Sequence, residues 1–232
     1  MNVLRLEDLR IQQSQFVLSA TLSVSQGTRV AVIGPSGAGK STLLAAIAGF
    51  ITPAEGSVIW QDQDITHVAP GSRPVAMLFQ DNNLFPHLST AQNIGLGLRP
   101  DLRLSTAEEN RVMQAMERVG LDGFGNRKPA SLSGGQQSRV ALARVLVQNS
   151  PLVLLDEPFS ALGTALKTGM LKLVSELLYE TGATLLMVSH DPEDARRIAH
   201  ETIIVVDGVA HAPQETDSLL DAPPALLRDY LG

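Results

Sequence analysis

The chain has 232 residues, 44% of them apolar and 18% charged, with a formal net charge of −6. That length suits one large domain or a domain carrying a lobe, and the apolar share supports a packed core and excludes global disorder. The acidic balance argues against a nucleic-acid binder, whose affinity rests on clustered Lys and Arg. The absence of cysteine excludes disulfides and thiolate metal sites and fits a reducing compartment. No apolar run approaches the ~20 residues that cross a bilayer, and the opening Met1–Leu6 segment lacks the apolar core of a signal peptide. Any link to a membrane is therefore expected to be peripheral, through protein partners.

In chain order, Leu4, Leu6 and Leu9, then Phe16 to Val24, read as strands with a turn between them. Arg29 to Ile33 is a short apolar strand running into a glycine-rich loop. Lys40 to Ala48 has helical character and stops at Gly49. Gly56 to Trp60 and Val75 to Phe79 read as further strands. From Leu88 to Gln148 the character changes: Thr106 to Val119 and Gln136 to Val147 have helical spacing, and β-branched runs become scarce. The strand–helix rhythm then returns, with strands at Leu152–Leu155, Thr184–Val188 and Thr202–Val206 and helices at Ala165–Glu180 and Pro192–Ala199. Alternating apolar runs and helices predict a mostly parallel sheet covered by helices, with the helical middle inserted as a lobe. A few helical turns are expected between Asp217 and Gly232.

The loop Gly34-Pro35-Ser36-Gly37-Ala38-Gly39-Lys40-Ser41 matches the G-x4-G-K-[ST] phosphate-binding pattern in full. Glycines let backbone N–H groups turn inward as a concave anion nest. The helix that follows points its positive end at the phosphates. Lys40 supplies a point charge between the β- and γ-phosphates, and Ser41 a hydroxyl for Mg²⁺, a hard ion that favours oxygen. An apolar strand before the loop and a helix after it supply the context that the pattern requires. A nucleotide triphosphate is the ligand this predicts.

Leu152–Leu155 ends in Asp156 and Glu157, followed by Pro158. A pair of acids at a strand end is common, and beside a phosphate loop it acquires meaning. Asp156 is placed to hold Mg²⁺ directly or through water, and Glu157 to orient or deprotonate the attacking water. Further on, Leu132-Ser133-Gly134-Gly135-Gln136 opens a helix, with Ser133 suited to cap it and its N–H groups exposed to an anion.

That run resembles the signature of the ABC ATPase family, and the rest of the chain supports the resemblance in the right order. Gln80 ends a strand, as the family's Q-loop does, and His190 follows one, as its switch histidine does. The match spans nearly the whole chain. It implies an ABC ATPase cassette: a P-loop NTPase core with a mostly parallel sheet, an antiparallel β subdomain and an inserted helical lobe. Residues 1–232 would form one domain, with 1–87 and 150–232 the nucleotide-binding core and about 88–149 the lobe. It further implies that two copies pair head to tail around two ATP molecules. Ser133, Gly134, Gly135 and Gln136 of one copy then close on the γ-phosphate held by Lys40 of the other. His190 would hold the γ-phosphate and the attacking water, Gln80 would contact Mg²⁺ and water, and Thr42 the α-phosphate. Two positions depart from the family pattern. Ser160-Ala161-Leu162 leads to Gly163 where the family has Asp, a residue that helps its two sites communicate. The stretch Ile11–Gln15 has no aromatic residue to stack on adenine, and Phe16 is the nearest.

The segments Arg73–Gln80, Asn82–Phe85 and Ala91–Leu98 look like those of the ATP-binding subunits of bacterial thiamine importers. The resemblance implies transmembrane permease subunits as direct partners, a periplasmic substrate-binding protein as an indirect one, and a place on the cytoplasmic face of the bacterial inner membrane. The chain is expected to lack the C-terminal regulatory domain that some sugar-importer cassettes append. A cassette serving an iron, polyamine or sulfate importer is the alternative that remains, followed by a soluble non-transport ABC ATPase. A GTPase would need an Asn-Lys-x-Asp segment, which is absent.

Overall fold

The structure, a computed structural model, describes residues 1–160, 162–225 and 227. Its strands are β1 (Asn2–Gln13), β2 (Phe16–Ser25), β3 (Arg29–Ile33), β4 (Glu55–Trp60), β5 (Gln63–Asp64), β6 (Val75–Leu78), β7 (Leu152–Asp156), β8 (Thr184–Val188), β9 (Glu201–Val206), β10 (Val209–Ala210) and β11 (Gln214–Glu215). Its helices are α1 (Lys40–Ala48), α2 (Thr90–Gly95), α3 (Thr106–Arg118), α4 (Gly134–Leu146), α5 (Thr164–Thr181), α6 (Pro192–Ile198) and α7 (Thr216–Asp221).

The apolar run Leu152–Leu155 and the strand Thr184–Val188, apolar from Leu185 on, are buried along their whole length, as strands covered on both faces must be. Their side chains divide by the two-residue period of a strand. Leu152 and Leu154 of β7, with Leu186 and Val188 of β8, pack with Leu43, Leu44 and Ile47 of α1. Val153 and Leu155, with Leu185 and Met187, pack with Leu171 and Val174 of α5 and Leu142 of α4. A third cluster joins Ile94, Val112, Met116, Leu132, Val140 and Val147, which draws α2, α3 and α4 together.

Among the described residues the strands form one eleven-stranded sheet, ordered β5-β4-β1-β2-β10-β9-β3-β8-β7-β6 with β11 beside β9. From β9 to β6 the neighbours are parallel. From β5 to β2 they are antiparallel. The short β10 joins the halves, antiparallel to β9 and parallel to β2. The fold is therefore the expected α/β core with an antiparallel β portion. Because β3, β8, β7 and β6 are parallel neighbours, their carboxyl ends lie along one edge. The glycine loop, His190 and Gln80 each lie beyond one of these strands, and Asp156 ends another with Glu157 directly after it. An edge of this kind is where open α/β sheets bind ligands.

The differences from the sequence reading are local. Helix α4 begins at Gly134 rather than Gln136, because Ser133 caps it and both glycines fall within its first turn. Strand β6 ends at Leu78, so Gln80 lies in the turn beyond. Helix α2, opened by a capping box of Ser89 and Gln92, and the two-residue strands β5, β10 and β11 carry too little periodicity to be read. Of the turns expected between Asp217 and Gly232, α7 supplies those up to Asp221. Residues 226 and 228–232 lie outside the described residues, as does Ala161.

Candidate nucleotide site

The loop from Gly34 to Gly39 owes its path to residues without a Cβ. Gly34 has φ 147°, and a Cβ there would strike the Val205 carbonyl oxygen of β9. Gly39, with φ 107°, caps α1 from a left-handed conformation, and a Cβ there would overlap the Phe16 ring. Lys40 opens α1 and is buried, its Nζ donating to the carbonyls of Gly34 at 2.8 Å and Pro35 at 2.9 Å. Burial holds its ammonium below the usual lysine range, against the pull of Glu157 and Asp156. A buried cation folded onto loop carbonyls stands ready to exchange them for a polyanion.

Ser41 and Asp156 meet across α1 and β7: the Ser41 hydroxyl donates to Asp156 Oδ1 at 2.9 Å. Burial pushes the Asp156 carboxyl up, opposed by this hydrogen bond. A hydroxyl and a buried carboxylate converging beside the phosphate loop form a hard-oxygen set that fits Mg²⁺ with nucleotide phosphates completing its shell. Among the described residues no group of three or more His, Cys, Asp or Glu gathers as a metal site. Glu157 follows with φ 44°, a left-handed backbone unusual for a side-chain-bearing residue. Its N–H donates to the Val188 carbonyl of β8 at 3.2 Å. Its Oε2 lies 3.4 Å from His190 Nδ1. The turn after β7 and the turn after β8 thus set these two side chains face to face.

One open cleft of about 640 Å³ is lined by Ser36, Gly37, Gly39, Lys40, Ser41 and Thr42, together with Gln80, Glu157, Phe16 and Gln13. The structure therefore brings together the phosphate loop, Gln80 and the carboxylates that the sequence singled out, and His190 joins through Glu157. Phe16, the aromatic residue nearest the stretch Ile11–Gln15, lines this cleft. Gln13 was missed: a polar residue ending a strand has no pattern of its own. Ser133 to Gln136 are not part of the cleft lining. Ser133 accepts from Gln136 N at 3.3 Å, and Gln136 Oε1 accepts from Ser133 N at 2.9 Å. In this capping box Gln136 N is taken by Ser133, while the Ser133 O–H and the N–H groups of Gly134 and Gly135 are left to donate outward. Gly163 caps α5 with an extended backbone and no side-chain bond, and space is open where its Cβ would be.

Two further groups escaped sequence reading. Arg144 of α4 donates to the carbonyls of Asn82 at 2.6 Å and Asn83 at 2.7 Å, so the helix begun by Ser133 grips the loop that follows Gln80. Lys167 of α5 pairs with Asp191 and Asp194 on either side of the turn after His190. The spacing of His190, Asp191 and Asp194 is a faint signal of this; the lysine lies too far off in sequence to be linked to it.

A parallel core with phosphate loop, strand-end acids and a capped glycine pair on a separate helical segment defines the ATP-binding cassette. A family model described as "ABC transporter" matches residues 17–160. The chain belongs to the ABC transporter family, as an ATP-binding cassette. Over 99% of its length it is 59% identical to the whole of the thiamine import ATP-binding protein ThiQ of Cereibacter sphaeroides. To the ThiQ of Ruegeria sp. it is 60% identical over 99% of its length and all of that protein. With the ThiQ of Escherichia coli strain UTI89 the identity is 50% over 94% of each chain. Among solved structures it is similar to a nucleotide-free ATP-binding cassette from an ABC transporter, with TM-score 0.88, 24% identity and full coverage of both chains. It is also similar to MJ0796, a bacterial ABC transporter cassette solved as a dimer, with TM-score 0.80 and 29% identity over 92% of this chain and 98% of that one.

Proposed function

We propose that this chain is the ATP-hydrolysing, energy-coupling subunit of an import complex for thiamine and its phosphates. The observation that carries the reading is the meeting of the phosphate loop, Gln80 and Glu157 in one cleft, in a chain about three-fifths identical to thiamine import ATP-binding proteins from end to end. Gly34 to Thr42 bind the triphosphate through backbone N–H groups and the Lys40 charge. Ser41, Asp156 and Gln80 hold Mg²⁺, which when bound neutralises phosphate charge as it develops. Glu157 accepts a proton from the attacking water, and His190, held by Glu157, donates toward the γ-phosphate. The site is completed by Ser133 to Gln136 of a second copy, which offer a hydroxyl and first-turn N–H groups to that phosphate. ATP favours the closed pair only through such contacts, which the open pair lacks.

In this reading the chain is one cassette domain, with 88–149 as its lobe and 1–87 with 150–232 as its nucleotide-binding core. No helix among the described residues is long and apolar enough to cross a membrane. The cassette pair sits peripherally on the cytoplasmic face of the inner membrane, attached to transmembrane permease subunits that a periplasmic binding protein loads. Reconstituted with those partners, ATP hydrolysis should rise when thiamine or thiamine phosphate is supplied. Stimulation by iron, polyamine or sulfate instead would overturn the cargo assignment and leave the cassette reading standing.

A further inference from the structure

We propose that Lys167 is a positioning residue for hydrolysis, tying the first turn of α5 to the loop that carries His190 and so holding that histidine against Glu157. The proposal rests on the role given above to His190. Lys167 Nζ lies 2.8 Å from Asp191 Oδ2 and 2.8 Å from Asp194 Oδ2. Asp191 directly follows His190 and caps α6, its Oδ1 accepting from Glu193 N at 3.0 Å. Asp194 lies one turn further on, and its Oδ2 also accepts from the Ser189 hydroxyl at 2.6 Å. Ser189 in turn accepts from Asp191 N at 3.1 Å. The residues immediately before and after His190 are thus fastened to each other, and through Lys167 to α5.

The fastening is made away from solvent. The Lys167 side chain is 13% exposed and that of Asp194 6%. Asp194 Oδ1 is buried without a hydrogen-bond partner, so the carboxylate is held through Oδ2 alone. Burial works against the Lys167 charge, but its hydrogen bonds to Asp191 and Asp194 prevail and hold its ammonium above the usual lysine range. Two carboxylates around one ammonium make a directional anchor in a low-dielectric setting.

The anchor also reaches the loop that departs from the family. The Lys167 N–H donates to the Gly163 carbonyl at 3.0 Å, while its side chain reaches the His190 loop. Gly163 has no side chain of its own with which to signal. The His190–Glu157 separation of 3.4 Å is at the outer limit of a polar contact, so small displacements of the His190 loop make or break it.

The test is steady-state hydrolysis by the assembled import complex, with ATP binding measured alongside. Lys167→Met should lower kcat on the order of 10- to 100-fold, the scale set by misplacing a reacting group by about 1 Å. ATP affinity and KM should stay within about twofold, since the phosphate loop is untouched. Lys167→Arg should restore most of kcat. Arg197→Ala removes a different bond between the same two helices, from Arg197 to the Thr168 hydroxyl at 2.6 Å, and should leave kcat within about twofold. A wild-type kcat in Lys167→Met, or an equal loss in Arg197→Ala, overturns the proposal. Where Lys167→Met fails to fold, Lys167→Met with Asp194→Asn removes the unpaired buried charge, and its kcat decides in the same way. His190→Ala belongs in the series. If it retains full hydrolysis, the role of His190 falls. If it is inactive while Lys167→Met is not, only the present inference falls.

Discussion

Asp156 joins two requirements that pull against each other. To hold Mg²⁺ as proposed it must sit, ionised, at a buried strand end. To stabilise the free protein it would be better neutral, because burial pushes its carboxyl up despite the Ser41 hydrogen bond. In that window the folded chain holds the proton more tightly than the unfolded chain does. Stability therefore falls as pH rises from the ordinary aspartate range through the raised value. Asp156→Asn should melt higher than wild type at pH 7 without nucleotide, with the gap closing as pH is lowered through that window. The same variant should lose Mg²⁺-dependent hydrolysis. Melting curves at two pH values and one activity assay check both outcomes. Functional sites commonly show this exchange of stability for chemistry.

The glycine loop is held from behind by the far end of its helix. The last carbonyls of α1 have no partners within the helix. Buried Arg73 supplies them: Nη1 donates to Ala46 at 2.9 Å and Ile47 at 2.7 Å, while Nη2 reaches Thr66 at 2.7 Å and Nε reaches Val68 at 2.8 Å. A cation at a helix C-terminus also meets its dipole. Gly49 makes room, since a Cβ there would press on the guanidinium. Arg73→Met should cost about 3 kcal/mol by leaving several buried acceptors unsatisfied. Chemical denaturation would read this, and an unchanged midpoint would refute it. Helix α4, which carries Ser133 at its cap, grips the loop after Gln80 through Arg144. One rigid element therefore links the surface proposed to face a second copy to the turn at the end of β6.

At the scale of the molecule, the consequence of the proposed head-to-tail pairing is a site shared between copies. In a two-fold pair each copy presents the same two surfaces, so both sites form at once. Lys40→Ala should disable the site in its own copy, and Ser133→Arg the site of its neighbour. Each variant alone should be inactive. Mixed, they form pairs in which one site carries both defects and the other neither, and hydrolysis should return. A mixture as inactive as its parts would argue against the head-to-tail arrangement.

Much of this was legible in the chain itself. The loop from Gly34 to Ser41 announces its conformation because backbone N–H groups turn inward only where glycine permits it. The runs Leu152–Leu155 and Thr184–Val188 announce buried parallel strands because a strand covered on both faces has no polar side. These are local dictates of sterics and burial. Only the tertiary structure decided which distant residues meet. Asp156 reaches Ser41, Glu157 faces His190, Arg73 closes α1, and Lys167 joins Asp191 and Asp194, all because β3, β8, β7 and β6 lie side by side in an order unlike their order in the chain. Strand order depends on the packing of α1 and α5 against opposite faces of the sheet, a sum over the whole core that no single segment encodes.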